Sequence, residues 1–369
     1  MDSTFPPESP DSPRPSLSIP APPSTSYRDR AAGLQVFGVI QIILGLLAAL
    51  GIPLVLLGAV MSRKLTGAFV PIGGYMLTGL TYGAMSVFLI TLGVGSIRAR
   101  RWGRALTLIV SWMWLLVGTM MTVLMTAILP TAFASGFRKA AAANPNAGTL
   151  PAGVTAVILT VIIIMFAVFF IVLPLIFVLF YQRKDVEQTC KRRDPVESWT
   201  DRCPLPVLAA SLIFALAAPY YLMMAVTTPL VPFFGRWLTG VSGGAGCFVL
   251  AAIDGFLAIF FYRLKLIGWW VAIVSLTLRI VSAGLTFRHG NLMQAYAQMG
   301  WRDSQLRMLN NNPMFRGHLI LWWSVGYLGL FLGYMVWTRR YFASGSTMAQ
   351  PAVAADFAPL PEHHQIDPP

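Results

Sequence analysis

Eight long apolar runs, separated by short polar segments, occupy most of this chain. Each is long enough to cross the bilayer core, which takes about 20 residues at a rise of 1.5 Å per residue. The runs are continuously apolar, unlike the strands of membrane β-barrels, in which apolar and polar residues alternate over about ten residues. The pattern predicts an all-α polytopic membrane protein with eight transmembrane helices. The predicted spans are Leu34–Met61, Ala68–Ile97, Ala105–Phe133, Val154–Tyr181, Leu205–Val231, Val241–Tyr262, Leu266–Phe287 and Leu319–Trp337.

Composition and charge support the same class. The 369 residues are 56% hydrophobic and 11% charged, with a net charge of +13. Most of the positive excess lies next to span ends, which indicates contact with anionic lipid headgroups and not with nucleic acid. The side that carries both chain ends has roughly twice as many Lys and Arg residues as the other, which predicts an N-in, C-in orientation. A membrane-protein partner is left open.

The second four spans repeat the layout of the first four at an offset of about 165 residues. The matched positions are Arg98, Arg100 and Gly103 with Arg263, Lys265 and Gly268, and Pro53 with Pro219. Halves of four spans share one orientation, so an axis along the membrane normal would relate them. The sequence therefore predicts a polar, disordered tail (1–31), two four-helix membrane halves (32–181 and 205–338), a charged elbow between them (182–204) and a second tail (339–369).

Two charges fall inside predicted spans of the second half. Asp254 is a carboxylate in the sixth span, and Arg279 lies mid-span in the seventh. Charges within a bilayer are costly, so they indicate either mutual pairing or a function. Three interpretations stay open: a structural ion pair, a proton or cation site in a transport pathway, and a carboxylate facing a wet crevice without a role. The equivalent of Asp254 in the first half is Leu89, so a charge-based function would be asymmetric.

The elbow is the second candidate site. Its run from Arg192 to Arg202 has charges of both signs and a tryptophan, a composition that favours a folded interfacial segment over a flexible linker. The candidate residues are Asp194, Trp199, Asp201 and Arg202.

Three glycine pairs at a spacing of four place small residues on one helix face. They are Gly79 with Gly83, Gly240 with Gly244, and Gly329 with Gly333. Such spacing permits close helix–helix approach. The alternative is that glycine-rich spans form broken helices around a central site.

The remaining polar residues suggest little chemistry. Cys190 and Cys203 lack the close pairs of a zinc site, so no metal and no cofactor are expected. Phosphate-binding loops and His-Glu-x-x-His motifs are missing from the sequence. Residues 288–316 have apolar positions at roughly helical spacing, which predicts a helix lying on the outer surface.

Two stretches carry a family resemblance. Tyr27–Arg30 before the first span, and the run from Arg193-Asp194-Pro195 to Cys203-Pro204, resemble a family of hypothetical multi-pass membrane proteins of bacteria, a group without an established function. The resemblance implies a bacterial cytoplasmic (inner) membrane setting and carries over no site residues.

Three function classes remain open. A non-catalytic scaffold, sensor or assembly factor fits the scarcity of intramembrane polar groups. A small-solute transporter or channel-like protein would use Asp254. A membrane-embedded enzyme acting on lipid would need catalytic residues that the motifs do not provide.

Overall fold

The computed structural model describes residues 28–66, 72–143, 152–301, 303–310 and 317–344. Among these residues, seven helices are long and apolar enough to cross a membrane. They indicate a polytopic, helical, integral membrane protein. Both predicted tails fall largely outside the described residues. Residues 339–344, which were assigned to the second tail, are helical.

The elements follow the apolar runs closely. The helices are α1 Ala31–Thr66, α2 Ile72–Ile97, α3 Arg101–Ala143, α4 Ala152–Ala167, α5 Leu173–Tyr181, α6 Lys184–Arg193, α7 Leu205–Thr227, α8 Gly240–Tyr262, α9 Leu266–His289, α10 Leu292–Gln298, α11 Asp303–Asn310 and α12 Gly317–Ser344. A π-helical turn, Val168–Val172, joins α4 to α5, and a 3-10 turn, Trp199–Arg202, precedes α7. The helix α12 contains the eighth predicted span but is not among the seven.

A short β-hairpin corrects the prediction of a fifth span that ends at Val231. Helix α7 ends at Thr227, and strands β1 (Val231–Phe233) and β2 (Arg236–Leu238) pair in antiparallel fashion. Pro229 and Pro232 cannot continue a helix, because proline lacks an N–H donor and restricts the residue before it. The two turn residues, Phe234 and Gly235, both have positive φ, as a tight hairpin turn requires.

The hairpin is held by the last turns of α9. Phe234 N donates to Ser282 Oγ and Gly235 N donates to Thr286 Oγ1, both at 3.0 Å. Ser282 Oγ in turn donates to Pro232 O at 2.9 Å. We call this end of the bundle the hairpin face, and the opposite end, where residues 182–204 lie, the elbow face.

Two buried clusters form the core. One lies between α1, α3, α5 and α6 around Phe177 and Tyr181. The other lies between α7, α8, α9 and α12 around Phe214, Phe261 and Trp269. Leu205, the first residue of α7, packs against both. The strongest helix pairings are α1 with α2, α7 with α8 and α9 with α12.

Glycine allows the closest helix approach between α1 and α2. A Cβ on Gly38 would lie 2.7 Å from Gly93 O, and a Cβ on Gly93 would lie 2.6 Å from Gly38 O. A Cβ on Gly45, about two turns further along α1, would lie 3.0 Å from Ser86 O. These backbones therefore touch directly, which side chains larger than hydrogen would prevent.

The six glycines predicted to pack helices do not make such approaches among the described residues. Gly83 and Gly244 have ordinary contacts at 3.8 and 3.7 Å from an added Cβ. Gly79, Gly240, Gly329 and Gly333 have no described atom within 4 Å of that position. Gly79 and Gly83 instead line an apolar groove of about 1150 Å³ between α1 and α2. Gly240 has a φ of 58°, so its backbone conformation favours glycine.

Two turns on the elbow face have the same backbone geometry. In the α2–α3 turn, Ala99 has a φ of 50°, and in the α8–α9 turn, Leu264 has a φ of 53°. Arg100 N donates to Gly95 O, and Lys265 N donates to Phe260 O, both at 2.9 Å. The left-handed conformation is unfavourable for residues with a side chain, so its occurrence in both turns is a distinctive feature that the two turns share.

Residues 288–316, predicted as a helix on the outer surface, do not form one continuous helix in their described part. Helix α10 begins after Asn291, whose Oδ1 accepts a hydrogen bond from Gln294 N. Gly300, with a φ of 83°, separates α10 from α11. Residues 302 and 311–316 of the predicted helix lie outside the described residues.

Candidate functional site

The structure brings Asp254 and Arg279 together across α8 and α9. Arg279 Nη2 donates to Asp254 Oδ1 at 2.6 Å, and Arg279 Nη1 donates to Asp254 Oδ2 at 3.2 Å. Asp254 is fully buried, and the Arg279 side chain is 17% exposed. This two-pronged arrangement is the strongest geometry available to an arginine and a carboxylate. Both carboxylate oxygens are therefore engaged by one cation.

A tyrosine from a third helix completes this cluster. The guanidinium carbon of Arg279 lies 5.6 Å from the ring centre of Tyr221 on α7. A cation over an aromatic face gains electrostatic stabilisation, more so away from water. Arg279 Nε is buried and has no hydrogen-bond partner among the described residues. The ion pair and the tyrosine ring thus link α7, α8 and α9.

Asp194 anchors the elbow to the α2–α3 turn. It is 6% exposed and accepts hydrogen bonds from Arg100 Nη1 at 3.1 Å and from Arg101 N at 3.2 Å. Arg101 Nε also donates to the Asp194 carbonyl at 2.6 Å. The carboxylate therefore receives both a side-chain cation and the first backbone N–H of α3, where the helix dipole favours a negative charge.

The other three elbow residues have different environments. Asp201 and Ser198 form a reciprocal cap on the 3-10 turn, and Asp201 Oδ2 also lies 3.5 Å from Arg101 Nη1. The Trp199 carbonyl accepts from Tyr262 Oη at 3.1 Å, which ties the elbow to the end of α8. Arg202 is exposed and makes no hydrogen bond to the described residues. Asp194, Trp199 and Asp201 therefore position the elbow against the start of α3 and the end of α8.

A second layer of ion pairs holds α6. Arg104 donates through Nε to Tyr181 O at 3.2 Å and through Nη2 to Glu187 Oε2 at 3.0 Å. Lys191 Nζ lies 2.7 Å from the other oxygen of Glu187. The hydrogen bond from Lys191, with help from Arg104, lowers the pKa of Glu187 below its usual range. Near the start of α1, Arg193 pairs with Asp29 at 3.0 Å.

A cavity of about 360 Å³ opens in the elbow between α3, α6 and the 3-10 turn. Its lining includes Cys190, Thr200 and Cys203, all nearly inaccessible to solvent. Burial raises the pKa of the Cys190 thiol to about 11 and that of Cys203 to about 12. Both thiols are therefore protonated near neutral pH. The described residues contain no group of His, Cys, Asp and Glu that could hold a metal ion.

A row of hydrogen-bonded, buried polar side chains was not predicted from the sequence. Tyr181 Oη donates to Ser96 Oγ at 2.8 Å, Ser96 Oγ to Gln41 Oε1 at 3.1 Å, and Gln41 Nε2 to Thr107 Oγ1 at 3.0 Å. The row joins α1, α2, α3 and α5. Gln41 within an apolar run was a usable signal, because a buried carboxamide requires hydrogen-bond partners. At an offset of about 165 residues, Phe261 and Ala272 replace Ser96 and Thr107.

The chain matches no protein-family model, no curated protein and no solved structure.

Proposed function

We propose that this protein is a non-catalytic membrane scaffold, sensor or assembly factor. The observation that carries this proposal is the two-pronged ion pair between Asp254 and Arg279. A transport site needs a carboxylate that can bind and release a cation or proton, whereas both oxygens of Asp254 accept hydrogen bonds from one guanidinium. The pair instead joins neighbouring helices of a fixed bundle.

The proposal includes eight spans in two halves. The matched turns at Ala99 and Leu264 support duplication. The direction of α12 supports an eighth span, because Tyr334 Oη donates to Pro206 O at the elbow face. Helix α12 begins at Gly317, roughly 25 Å away along its axis, towards the hairpin face.

The proposal also places the elbow face in the cytoplasm of a bacterium, against the inner membrane. Basic residues support this orientation, since cytoplasmic loops carry an excess of Lys and Arg. Arg98, Arg183, Lys184 and Arg202 are exposed on that face and make no ion pair with the described residues. They favour anionic lipid headgroups as the partners.

A small-solute transporter is the second candidate. The matched turns favour it, because parallel repeats related by an axis along the membrane normal occur in transporters. The kink-forming Pro53 in α1 and Pro219 in α7 are also nearly in register. Such a function would require the Asp254–Arg279 pair to open during transport.

A double-mutant cycle in detergent separates the two candidates. For a structural pair, Asp254→Asn and Arg279→Gln should each lower the free energy of unfolding by about 3–5 kcal/mol, because each leaves a buried group uncompensated. The double variant should recover much of that loss. The exposed pair Arg193 and Asp29 gives the matched control, because little coupling is expected between changes at its two residues. A neutral or stabilising Asp254→Asn without coupling to Arg279 would instead support an ion site.

A further inference from the structure

The β-hairpin lies below the ends of the helices that hold it. Val231 Cγ2 lies 3.5 Å from the position of a Cβ on Gly246, which is six residues, or about 9 Å, from the start of α8. Phe234 N binds Ser282 Oγ, which is seven residues, or about 10 Å, from the end of α9. The 24 residues of α9 exceed a bilayer core by only about 6 Å, so the turn lies at the depth of the acyl chains.

The backbone of the hairpin turn finds its hydrogen bonds within the protein. The acyl chains of a bilayer offer no hydrogen-bonding partners, so a segment that is not helical needs partners from its neighbours at this depth. The N–H groups of Phe234 and Gly235 donate to the hydroxyls of Ser282 and Thr286, both at 3.0 Å. Pro232 has no N–H, and its carbonyl accepts from Ser282 Oγ at 2.9 Å. These polar groups therefore need no water.

The exposed side chains of the hairpin change from apolar to charged towards the end of α9. Phe233 and Phe234 are 52% and 46% exposed, and their rings meet edge to face at 5.2 Å. Arg236, the cross-strand partner of Phe233, is exposed and makes no ion pair with the described residues. It directly follows the turn residue that binds Thr286, which lies four residues, or about 6 Å, nearer than Ser282 to the end of α9.

We infer that the hairpin binds phospholipid of the hairpin-face leaflet, with Phe233 and Phe234 among the acyl chains and Arg236 against a phosphate. A phospholipid has the same order of groups along the membrane normal, with apolar chains below and a phosphate above. The stem of an arginine can stay in apolar surroundings while its guanidinium reaches the headgroups. A water-filled crevice would instead leave two half-exposed phenyl rings in water, which is unfavourable. This inference goes beyond the proposed function and does not depend on it.

Spin labels on single introduced cysteines test the environment of the turn in phospholipid nanodiscs. The full-length protein has its three native cysteines replaced by serine. The label is placed at Phe233→Cys or Phe234→Cys, at Val274→Cys as the lipid-facing control on α9, or at Ala297→Cys as the exposed control on α10. Collisions of the label with oxygen, which dissolves among acyl chains, and with a water-soluble nickel chelate are measured.

We expect both hairpin labels to behave like the label at Val274, with frequent oxygen collisions. Their nickel collisions should be at least about tenfold rarer than those of the label at Ala297, because a polar chelate is excluded from hydrocarbon. Frequent nickel collisions at the hairpin would overturn the inference and identify a water-filled crevice. Rare collisions with both reagents would overturn it in favour of a protein that covers the turn.

Arg236→Gln tests the contact with phosphate. In nanodiscs of phosphatidylglycerol the variant should melt about 2 °C or more below the unaltered protein, because it loses an attraction to the anionic surface. In a maltoside detergent, which has neither phosphate nor charge, the two proteins should melt together. Arg236→Lys should restore most of the difference in nanodiscs, since it keeps the charge. An equal loss in both environments, or no loss in either, would overturn the inference. None of these results would alter the Asp254–Arg279 cycle.

Discussion

Ala99 and Leu264 adopt the same left-handed backbone conformation in two turns about 165 residues apart. In each turn the preceding residue, Arg98 or Arg263, donates its backbone N–H to the carbonyl four positions earlier, at 3.0 Å. Glycine is the residue that usually adopts this conformation, yet neither turn has it at this position. The shared geometry therefore reflects the demands of the turn itself and not the side chain in it.

The left-handed conformation of Ala99 predicts that glycine is tolerated at this position and valine is not. Ala99→Gly should change the free energy of unfolding by less than about 1 kcal/mol, because relief of left-handed strain offsets the added flexibility of the unfolded chain. Ala99→Val should lower it by about 2 kcal/mol or more, since a branched residue is a steric outlier there. Thermal unfolding in detergent measures both, with Ala297→Val on the exposed face of α10 as the control. Equal tolerance of valine at both positions would contradict the assigned backbone.

The direct contact between Gly38 and Gly93 leaves no room for a methyl group between α1 and α2. Gly93→Ala should lower the free energy of unfolding by about 1–3 kcal/mol, because overpacking forces the backbones apart. Gly79→Ala is the matched control in the neighbouring part of α2. It has open space and should be neutral or stabilising by up to about 1 kcal/mol through helix propensity. Thermal unfolding should give a lower melting temperature for Gly93→Ala than for Gly79→Ala. A lower melting temperature for Gly79→Ala would refute this packing.

Asp194 should be the most sensitive carboxylate of the elbow. Asp194→Ala removes the acceptor for Arg100 and for the first N–H of α3, which should cost about 2–4 kcal/mol. Limited proteolysis within residues 182–204, together with thermal unfolding, measures the loosening. The comparison is Glu197→Ala, an exposed carboxylate of the same segment that has no partner among the described residues, and which should leave proteolysis and thermal unfolding unchanged. Similar proteolysis of both variants would argue against Asp194 as the anchor.

Glu187 should make the elbow sensitive to acid. Its pKa is lowered from the ordinary 4.5, chiefly by the hydrogen bond from Lys191. A lowered carboxyl pKa contributes stability above the unfolded-state value, and that contribution is lost as the pH falls through the folded-state value. Glu187→Gln should therefore be less stable than the parent near neutral pH, by less than about 1 kcal/mol because the pair is partly exposed. The difference in melting temperature should shrink steadily below pH 4.5. A difference that is constant with pH would rule out this ion pair as its cause.

Cys190 and Cys203 should resist alkylation in the folded protein. Burial raises the pKa of both thiols, to about 11 and about 12, and the thiolate is the reactive form. Labelling with iodoacetamide near pH 8 should be slow until denaturant is added, when both sites react. Mass spectrometry of Cys190→Ser and Cys203→Ser variants assigns each rate to its residue. Fast labelling of either thiol in the native state would show that the elbow opens.

The sequence by itself determined the class of the protein, its helices and the elbow as a folded segment. Apolar runs of bilayer length predict helices, because in a bilayer every backbone N–H and C=O group must form its hydrogen bond within the segment. The run from Arg192 to Arg202 similarly indicated structure through its mixed charges. The feature that the sequence did not predict, the hairpin, depends on local backbone conformation. The hairpin at 231–238 depends on two prolines and on positive φ at Phe234 and Gly235, which an apolar window does not register.

Only the tertiary structure decided which residues meet. Their positions in the sequence placed Asp254 and Arg279 on neighbouring helices. Whether the two side chains face each other depends on the rotation of each helix about its axis. In the structure both side chains point into the bundle and form an ion pair. The same holds for glycine. A spacing of four marks Gly79 and Gly83, yet the close contact falls at Gly38 and Gly93, because the crossing point of two helices is set by everything that packs around them.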